Sequence, residues 1–253
     1  MNLVIDQGNT ICKLAIFEEG DEPVEVMMCT ELSISFLGNV LNGNVLNNKV
    51  LKNHSLQSCI LSTVKALNPD VVDFLRSNIH YFLLLDSRTP IPISNVYATP
   101  QTLGLDRLAA AVGAWHIQSG KPLLVIDMGT AITYDFVSRE GVFVGGNIAP
   151  GLQMRLKALH QFTDKLPMVM AEKEFVNLGS DTETAIRSGV MQGIVYEVEG
   201  YFQELQQLNP NLFAFLTGGD LIYFDGKLKN SIFVSKNLVL IGLNRILQYN
   251  VNS

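Results

Sequence analysis

Two aspartates stand at the ends of two nearly identical apolar stretches. LVIDQGNT occupies residues 3–10 and LVIDMGTA occupies residues 124–131, so Asp6 and Asp127 hold the same position in each copy. Each carboxylate is followed, after one residue, by a glycine and by small hydroxyl or amide side chains. Chance similarity between two buried strands that end in turns would explain the apolar letters alone. The shared chemistry instead favours two turns that surround a metal-bound phosphate with N–H groups, hydroxyls and one carboxylate.

A second pair of charged residues lies near the start of an apolar, alanine-rich stretch at residues 103–117. Asp106 could accept the proton of a hydroxyl group, and the guanidinium of Arg107 could bind a carboxylate or phosphate. Alternatively, Asp106 only complements the dipole at a helix N-terminus. The pair is a candidate acceptor site beside the predicted phosphate turns.

Two glycine-rich motifs lie in the second half of the chain, GGNIAPG at residues 145–151 and TGGD at residues 217–220. Each is either an ordinary turn or a place where backbone approaches a ligand closely. Neither the G-x-x-x-x-G-K-[ST] motif nor a G-x-G-x-x-G after a strand occurs in the sequence, which disfavours the P-loop and Rossmann modes of nucleotide binding.

The elements that must position these residues alternate between strands and helices, which predicts an α/β fold. Each repeat reads as a hairpin, with strands over residues 3–5 and 11–17 and again over 123–126 and 132–137. Further strands are predicted at 58–64 and 81–85, and helices at 103–117 and after Ser180 or Asp181, where apolar residues keep helical spacing to Leu205. A Gly-Lys-Pro break at residues 120–122 suggests two domains, 1–118 and 119–253.

Composition narrows the function classes. The chain has 253 residues, a formal net charge of -6 and no run of Lys or Arg, so nucleic acid is not an expected partner. No stretch reaches the roughly 18 apolar residues of a membrane helix, and no basic segment precedes the first apolar run, so we expect neither a membrane anchor nor export. Three cysteines without a C-x-x-C pair suggest a reducing cytoplasm.

The motifs DQGNT, GLDR, DMGTAIT, GGNIAPG and TGGD, in this order, resemble the type III pantothenate kinases of bacteria. The resemblance implies two similar actin-like, ribonuclease H-like domains, each a mixed sheet with helices, facing across a nucleotide cleft. This architecture belongs to the acetate and sugar kinase, Hsp70 and actin superfamily, and would explain the duplicated hairpin. The implied reaction is phosphorylation of pantothenate by ATP with Mg²⁺, the first step of coenzyme A synthesis. A homodimer activated by K⁺ or NH₄⁺ is also implied.

Site residues follow from the same resemblance, position by position. Asp106 matches the general base, Asp127 the monovalent-cation ligand and Thr130 a contact to nucleotide phosphate. The residues that bind pantothenate would be Tyr97, Gly104, Leu105, Asp106 and Arg107, together with Thr182 at the start of the long helix. The first phosphate loop would comprise Asp6 on the magnesium side, Gln7, Gly8, Asn9, Thr10, Ile11, Cys12 and Lys13.

Three features of the sequence allow more than one interpretation. Asp181 stands where the family often has Asn, which places a negative charge near an anionic substrate. Gly189 and Gly193, four residues apart on the predicted long helix, permit close approach of another helix from the same chain or from a second subunit. The alternatives to the main function are a superfamily kinase with another small acceptor and a non-enzymatic ATP-binding accessory factor.

Overall fold

Both repeats form the predicted β-hairpins in the computed structural model, which describes residues 1–43, 56–224, 226–229 and 232–252. The described helices are α1 (Ile34–Leu41), α2 (Pro69–Asn78), α3 (Leu105–Ile117), α4 (Leu152–Gln161), α5 (Thr182–Leu208) and α6 (Leu238–Val251). The described strands are β1 (Asn2–Gln7), β2 (Cys12–Phe17), β3 (Glu25–Cys29), β4 (Ser58–Thr63), β5 (Tyr81–Leu84), β6 (Ser94–Asn95), β7 (Leu123–Met128), β8 (Ala131–Val137), β9 (Val142–Pro150), β10 (Phe213–Thr217) and β11 (Ile232–Val234).

The chain divides into two compact units, Met1–Ile117 with Asn237–Ser253, and Gln118–Lys236. In the first unit the sheet order is β3-β2-β1-β4-β5, with β1 antiparallel to β2 and parallel to β4. In the second unit the strands follow the corresponding order β9-β8-β7-β10-β11, with β7 antiparallel to β8 and parallel to β10. Each unit therefore has the same mixed-sheet topology around one copy of the repeated strand.

The two copies are buried because their apolar side chains fill the centre of each sheet. Leu3 and Ile5 of β1 belong to the first unit's core, and Leu124 and Ile126 of β7 belong to the second unit's core, all fully buried. Since both sheet faces around these strands are covered, the sequence reads as an unbroken apolar run, with polar residues starting only at Asp6 and its counterpart.

The predicted long helix is α5, and its start is fixed by a capping box. The Asp181 carboxylate accepts a hydrogen bond from the backbone N–H of Thr184 at 3.0 Å, and the Thr184 hydroxyl accepts one from the N–H of Asp181 at 3.2 Å. The hydrogen bonds that the backbone N–H and the hydroxyl of Thr184 make to the Asp181 carboxylate lower its pKa below the usual value. Asp181 is therefore the residue that caps this helix. None of the described helices is both long enough and apolar enough to cross a membrane.

The first unit includes a helix that comes last in the chain. Helix α6 packs against α3, β1 and β4 of that unit. The sequence-based division at 118/119 lies one residue from the observed change of unit after Ile117, but it gives residues 237–253 to the second domain. The structure differs there because α6 packs against α3, β1 and β4, and its Leu243 and Leu247 are fully buried.

Two glycines allow α3 and α6 to cross closely. A Cβ atom on Gly242 would collide with the carbonyl oxygen of Ala109, and one on Gly113 would collide with that of Leu238. In contrast, a Cβ atom on Gly189, Gly193 or Gly200 would meet open space among the described residues. The part of the chain that the structure describes therefore offers no partner for the Gly189 and Gly193 face.

Replacement of Gly242 by Ala is expected to lower the free energy of unfolding by about 2 to 3 kcal/mol, because the collision outweighs the gain of about 1 kcal/mol in helix propensity. For a chain of this size, the thermal midpoint should fall by roughly 5 to 10 °C. Gly200→Ala is the matched control on an open helix face and should melt at or slightly above the wild-type temperature. Equal melting of Gly242→Ala and Gly200→Ala would contradict the crossing.

Candidate active site

The first hairpin ends in an exposed turn that places Asp6 beside Lys13. These two residues are direct cross-strand partners in β1 and β2. The turn is closed by a hydrogen bond from the N–H of Gly8 to the carbonyl of Ile11 at 3.2 Å, and Asn9 and Thr10 at its tip are exposed. The end of the strand thus carries one carboxylate and one ammonium group next to an exposed turn with the polar side chains of Asn9 and Thr10.

Two other members of the predicted phosphate loop have structural partners. The side-chain carbonyl of Gln7 accepts a hydrogen bond from the Thr63 hydroxyl at 2.9 Å, which ties β1 to β4. Cys12 is 2% exposed and packs in the core of the first unit. The surface that the hairpin offers to a ligand is therefore its tip together with Asp6 and Lys13.

Asp106 lies near this hairpin within the same unit. Burial and, to a smaller extent, the negative charge of Asp106 raise the pKa of Asp6, Lys13 opposes both effects, and the net value is about 6. Asp106 is in the first turn of α3, where its carboxylate accepts a hydrogen bond from the N–H of Arg107 at 2.8 Å. The first unit thus brings together two carboxylates and one ammonium group.

Gly104 makes room for the Asp106 carboxylate. A Cβ atom at position 104 would collide with Oδ1 of Asp106 and would lie 3.5 Å from Cδ of Arg107. A side chain at position 104 would therefore push the Asp106 carboxylate out of its present place. The glycine in GLDR is therefore explained by side-chain placement, and Leu105 begins the helix directly after it.

Arg107 is buried, and its guanidinium lies over an aromatic ring. It is 6% exposed, and its Cζ atom lies 5.9 Å from the centroid of the Tyr97 ring. The N–H of Tyr97 donates to the Asn95 side chain at 2.9 Å, which fixes the backbone that carries the ring. Two of the predicted substrate residues are thus in contact, and the guanidinium is held in a defined place.

In the second unit, the equivalent hairpin carries Asp127 and Thr130. Asp127 lies directly opposite Thr133 of β8 and opposite Thr217 of β10. The hydroxyl oxygen of Thr133 is buried and has no hydrogen-bond partner among the described residues. A cation at Asp127 fits this arrangement, because opposite residues share one face of the sheet and an orphaned hydroxyl could serve as a further oxygen ligand.

The two glycine motifs surround the turn at residues 128–130. Most of GGNIAPG is part of strand β9, so the interpretation of this motif as an ordinary turn is wrong. A side chain on Gly151 would collide with the carbonyls of Gly129 and Thr130, and one on Gly218 would collide with the backbone of Met128. Gly218 also has a φ of 102°, which favours glycine. The close approach that these glycines permit is to the hairpin turn itself.

Thr182 is exposed as the first residue of α5, on an element separate from the Asp127 hairpin. In the described parts of the chain, no group of three or more His, Cys, Asp or Glu residues could hold a metal ion.

Comparison with known proteins decides the family. The sequence profile described as type III pantothenate kinase matches residues 2–204 of the chain. A type III pantothenate kinase from Bacteroides fragilis is 49% identical over 250 residues, which cover 99% of this chain and 98% of that protein. This chain belongs to the type III pantothenate kinase family. As a member of that family it is a kinase, and its substrates in the family reaction are pantothenate and ATP.

Solved structures that resemble this kinase show the same fold. A Campylobacter jejuni protein assigned to the Baf family of transcriptional activators has a TM-score of 0.62 at 21% identity, with 99% of this chain and 100% of that chain covered. A Sinorhizobium meliloti protein assigned as a 2-dehydro-3-deoxygalactonokinase has a TM-score of 0.57 at 12% identity, with 99% of each chain covered. Together with the two mixed sheets, they confirm the predicted actin-like, ribonuclease H-like fold class.

Proposed function

We propose that this type III pantothenate kinase transfers the γ-phosphoryl group of ATP to the primary hydroxyl of pantothenate, giving 4′-phosphopantothenate for coenzyme A synthesis. The observation that carries the proposal is the convergence of Asp6, Lys13 and Asp106 at the end of β1, in a chain of this family. Family membership favours this reaction over both alternatives, another acceptor and a non-enzymatic accessory factor.

Asp106 is the general base of the proposed reaction. Phosphoryl transfer depends mainly on positioning and charge stabilisation, so the base need only hold the hydroxyl in line and take its proton late. The Asp106 carboxylate suits this task because the N–H of Arg107 fixes one of its oxygens at 2.8 Å and Gly104 leaves it space. Its other oxygen can accept the proton of the substrate hydroxyl.

Asp6 and Lys13 are the proposed residues that interact with Mg²⁺ and with the phosphate groups of ATP. Mg²⁺, when bound, neutralises the phosphate oxygens, and Asp6 is the carboxylate of the first hairpin that would face it. Lys13 lies opposite Asp6 and adds a point charge for phosphate. The exposed hairpin tip adds backbone N–H groups and the polar side chains of Asn9 and Thr10.

Arg107 is the proposed partner of the pantothenate carboxylate, because its planar guanidinium can donate two parallel hydrogen bonds to that group. The ring of Tyr97 limits the positions that this guanidinium can take. Gly104, Leu105 and Thr182 complete the proposed substrate contacts. The Asp181 carboxylate accepts a hydrogen bond from the first turn of α5, so its negative charge is stabilised at the helix start.

The second hairpin supplies the other two proposed ligands. Thr130 at its exposed tip contacts nucleotide phosphate, and Asp127 with Thr133 holds K⁺ or NH₄⁺. The proposal for the cation is supported by the orphaned Thr133 hydroxyl opposite Asp127.

We further propose a homodimer that acts in the cytoplasm, with the unpacked Gly189 and Gly193 face of α5 as a candidate contact surface.

The experiment that tests the function is an ADP-release assay with ATP, Mg²⁺, K⁺ and pantothenate, followed by mass spectrometry of the product. We expect ADP release to require pantothenate and the product to gain one phosphoryl group. Replacement of K⁺ by Na⁺ should lower the rate. A folded protein that binds ATP but does not turn over pantothenate would overturn the proposed substrate and revive the alternatives.

A further inference from the structure

Arg155 and Glu197 form an ion pair behind the second hairpin. Arg155 lies on α4 and Glu197 on α5, and the distance between Nη2 of the arginine and Oε2 of the glutamate is 2.7 Å. The two side chains are 20% and 26% exposed. Partial burial makes such a pair less screened by solvent than a surface pair, so its geometry is better defined.

The same guanidinium reaches the backbone that supports Thr130. Nε of Arg155 donates a hydrogen bond to the carbonyl of Pro150 at 2.7 Å. Pro150 ends β9 opposite Ala131, and the N–H of the following Gly151 donates to the carbonyl of Thr130 at 3.1 Å. The guanidinium therefore holds the segment against which the Thr130 turn rests.

Glu197 is itself fixed from a second direction. Its Oε1 accepts a hydrogen bond from the hydroxyl of Tyr134 at 2.8 Å, and Tyr134 lies on β8, the strand that leaves the turn. The Tyr134 ring is 2% exposed and stacks on Tyr201 with ring centroids 4.1 Å apart. Burial, and then the hydrogen bond to Glu197, raise the pKa of Tyr134 far above its usual value, so it remains a donor at neutral pH.

We propose that Arg155 and Glu197 are positioning residues for ATP: they set the place of the Thr130 turn and thereby the affinity for the nucleotide. The pair is bonded to two strands at the turn. It contacts β8, which leaves the turn, through Tyr134, and it contacts β9, which pairs with β8, through Pro150. Neither residue touches Thr130 directly in any of these bonds. The inference rests on the proposed function, in which Thr130 contacts a phosphate of ATP.

The test measures the dissociation constant of Mg·ATP by calorimetry without pantothenate, and the KM of each substrate, for Arg155→Met, Arg155→Lys and Glu197→Gln. We expect Arg155→Met and Glu197→Gln to raise the ATP dissociation constant and KM about tenfold or more, because small displacements of a binding group are costly. The KM for pantothenate should stay within about twofold, and the double variant Arg155→Met/Glu197→Gln should be no worse than the weaker-binding single variant. Arg155→Lys keeps the positive charge but loses the planar guanidinium that donates to both Glu197 and Pro150, so its effect should be intermediate.

Arg187 provides a matched control on α5. It also pairs with a glutamate, Glu172, at 2.7 Å and donates from Nε to a carbonyl, that of Met170, at 3.1 Å, but neither partner belongs to the Thr130 turn, β8 or β9. Arg187→Met should lower thermal stability to a similar extent and leave the ATP dissociation constant within about twofold.

Three results would overturn the assignment. The first is unchanged ATP affinity in folded Glu197→Gln and Arg155→Lys, which remain informative if Arg155→Met fails to fold. The second is an equal loss of ATP affinity in Arg187→Met. The third, absence of ATP binding by the wild-type protein, would overturn the proposed function as well, whereas ATP binding without pantothenate turnover would overturn only the acceptor.

Discussion

Asp106→Asn is expected to lower kcat by roughly 100-fold or more, because the amide cannot take the proton of the attacking hydroxyl. The fold should be retained, since an Asn side-chain carbonyl can still accept the hydrogen bond from the N–H of Arg107 and Gly104 still leaves it space. Steady-state kinetics with both substrates would measure the effect. The KM for ATP should change little, because the lost interaction belongs to the transition state.

The control for this variant is Asp70→Asn. Asp70 is also an aspartate in the first turn of a helix, α2, but it is exposed and distant in sequence from the active-site motifs. It should retain wild-type activity. Turnover by Asp106→Asn within tenfold of wild type would remove the general-base role and leave Asp106 as a residue that complements the dipole of α3.

Asp6→Asn is expected to have two opposite effects. Activity should fall roughly 100-fold or more at ordinary Mg²⁺ concentrations, because the carboxylate on the magnesium side of the phosphate is lost. Stability without Mg²⁺ should rise, because the wild-type protein holds Asp6 close to Asp106 in a buried place. A Mg²⁺ titration of activity would show whether higher metal concentrations partly restore the rate.

The pH dependence of that stability gain has a defined sign. The pKa of Asp6 is about 6 in the folded protein against 3.8 for an ordinary Asp, so the folded state binds the proton more tightly. The contribution of Asp6 to wild-type stability therefore decreases as pH rises from roughly 4 to 6, by on the order of 1 to 3 kcal/mol. Thermal melts in EDTA should show the gain of Asp6→Asn above pH 6 and its disappearance below about pH 4. A gain that is independent of pH would contradict this cause.

Local signals predicted the parts of the site that depend on neighbours in sequence. The apolar run before Asp6 and the Gly8 turn after it specify a buried strand and a hairpin without further information. The capping residue of α5 was narrowed to Ser180 or Asp181, and the capping box selects Asp181. The helix with Asp106 begins at Leu105, two residues later than predicted, because Gly104 and its neighbours form the approach to the helix.

Features that depend on distant segments could not be predicted in the same way. GGNIAPG has the composition of a turn, but pairing with β8 makes it a strand, and its glycines are needed because Tyr134, Asp135 and the Thr130 turn lie against them. Arg155 and Glu197 are 42 residues apart and carry no motif, so only the fold shows that they meet. The site residues named from the resemblance remain predictions until the variants are measured.

The place of α6 has a consequence for synthesis on the ribosome. β1, β4 and α3 emerge early, but the helix that packs against them emerges only after the whole second unit. The second unit is continuous and can fold as soon as it has left the exit tunnel. The first unit cannot complete its fold until α6 emerges, and until then the surface of α3 around Ala109 and Gly113 is uncovered. During that interval the nascent chain exposes the apolar face of α3, which α6 covers only after it has emerged.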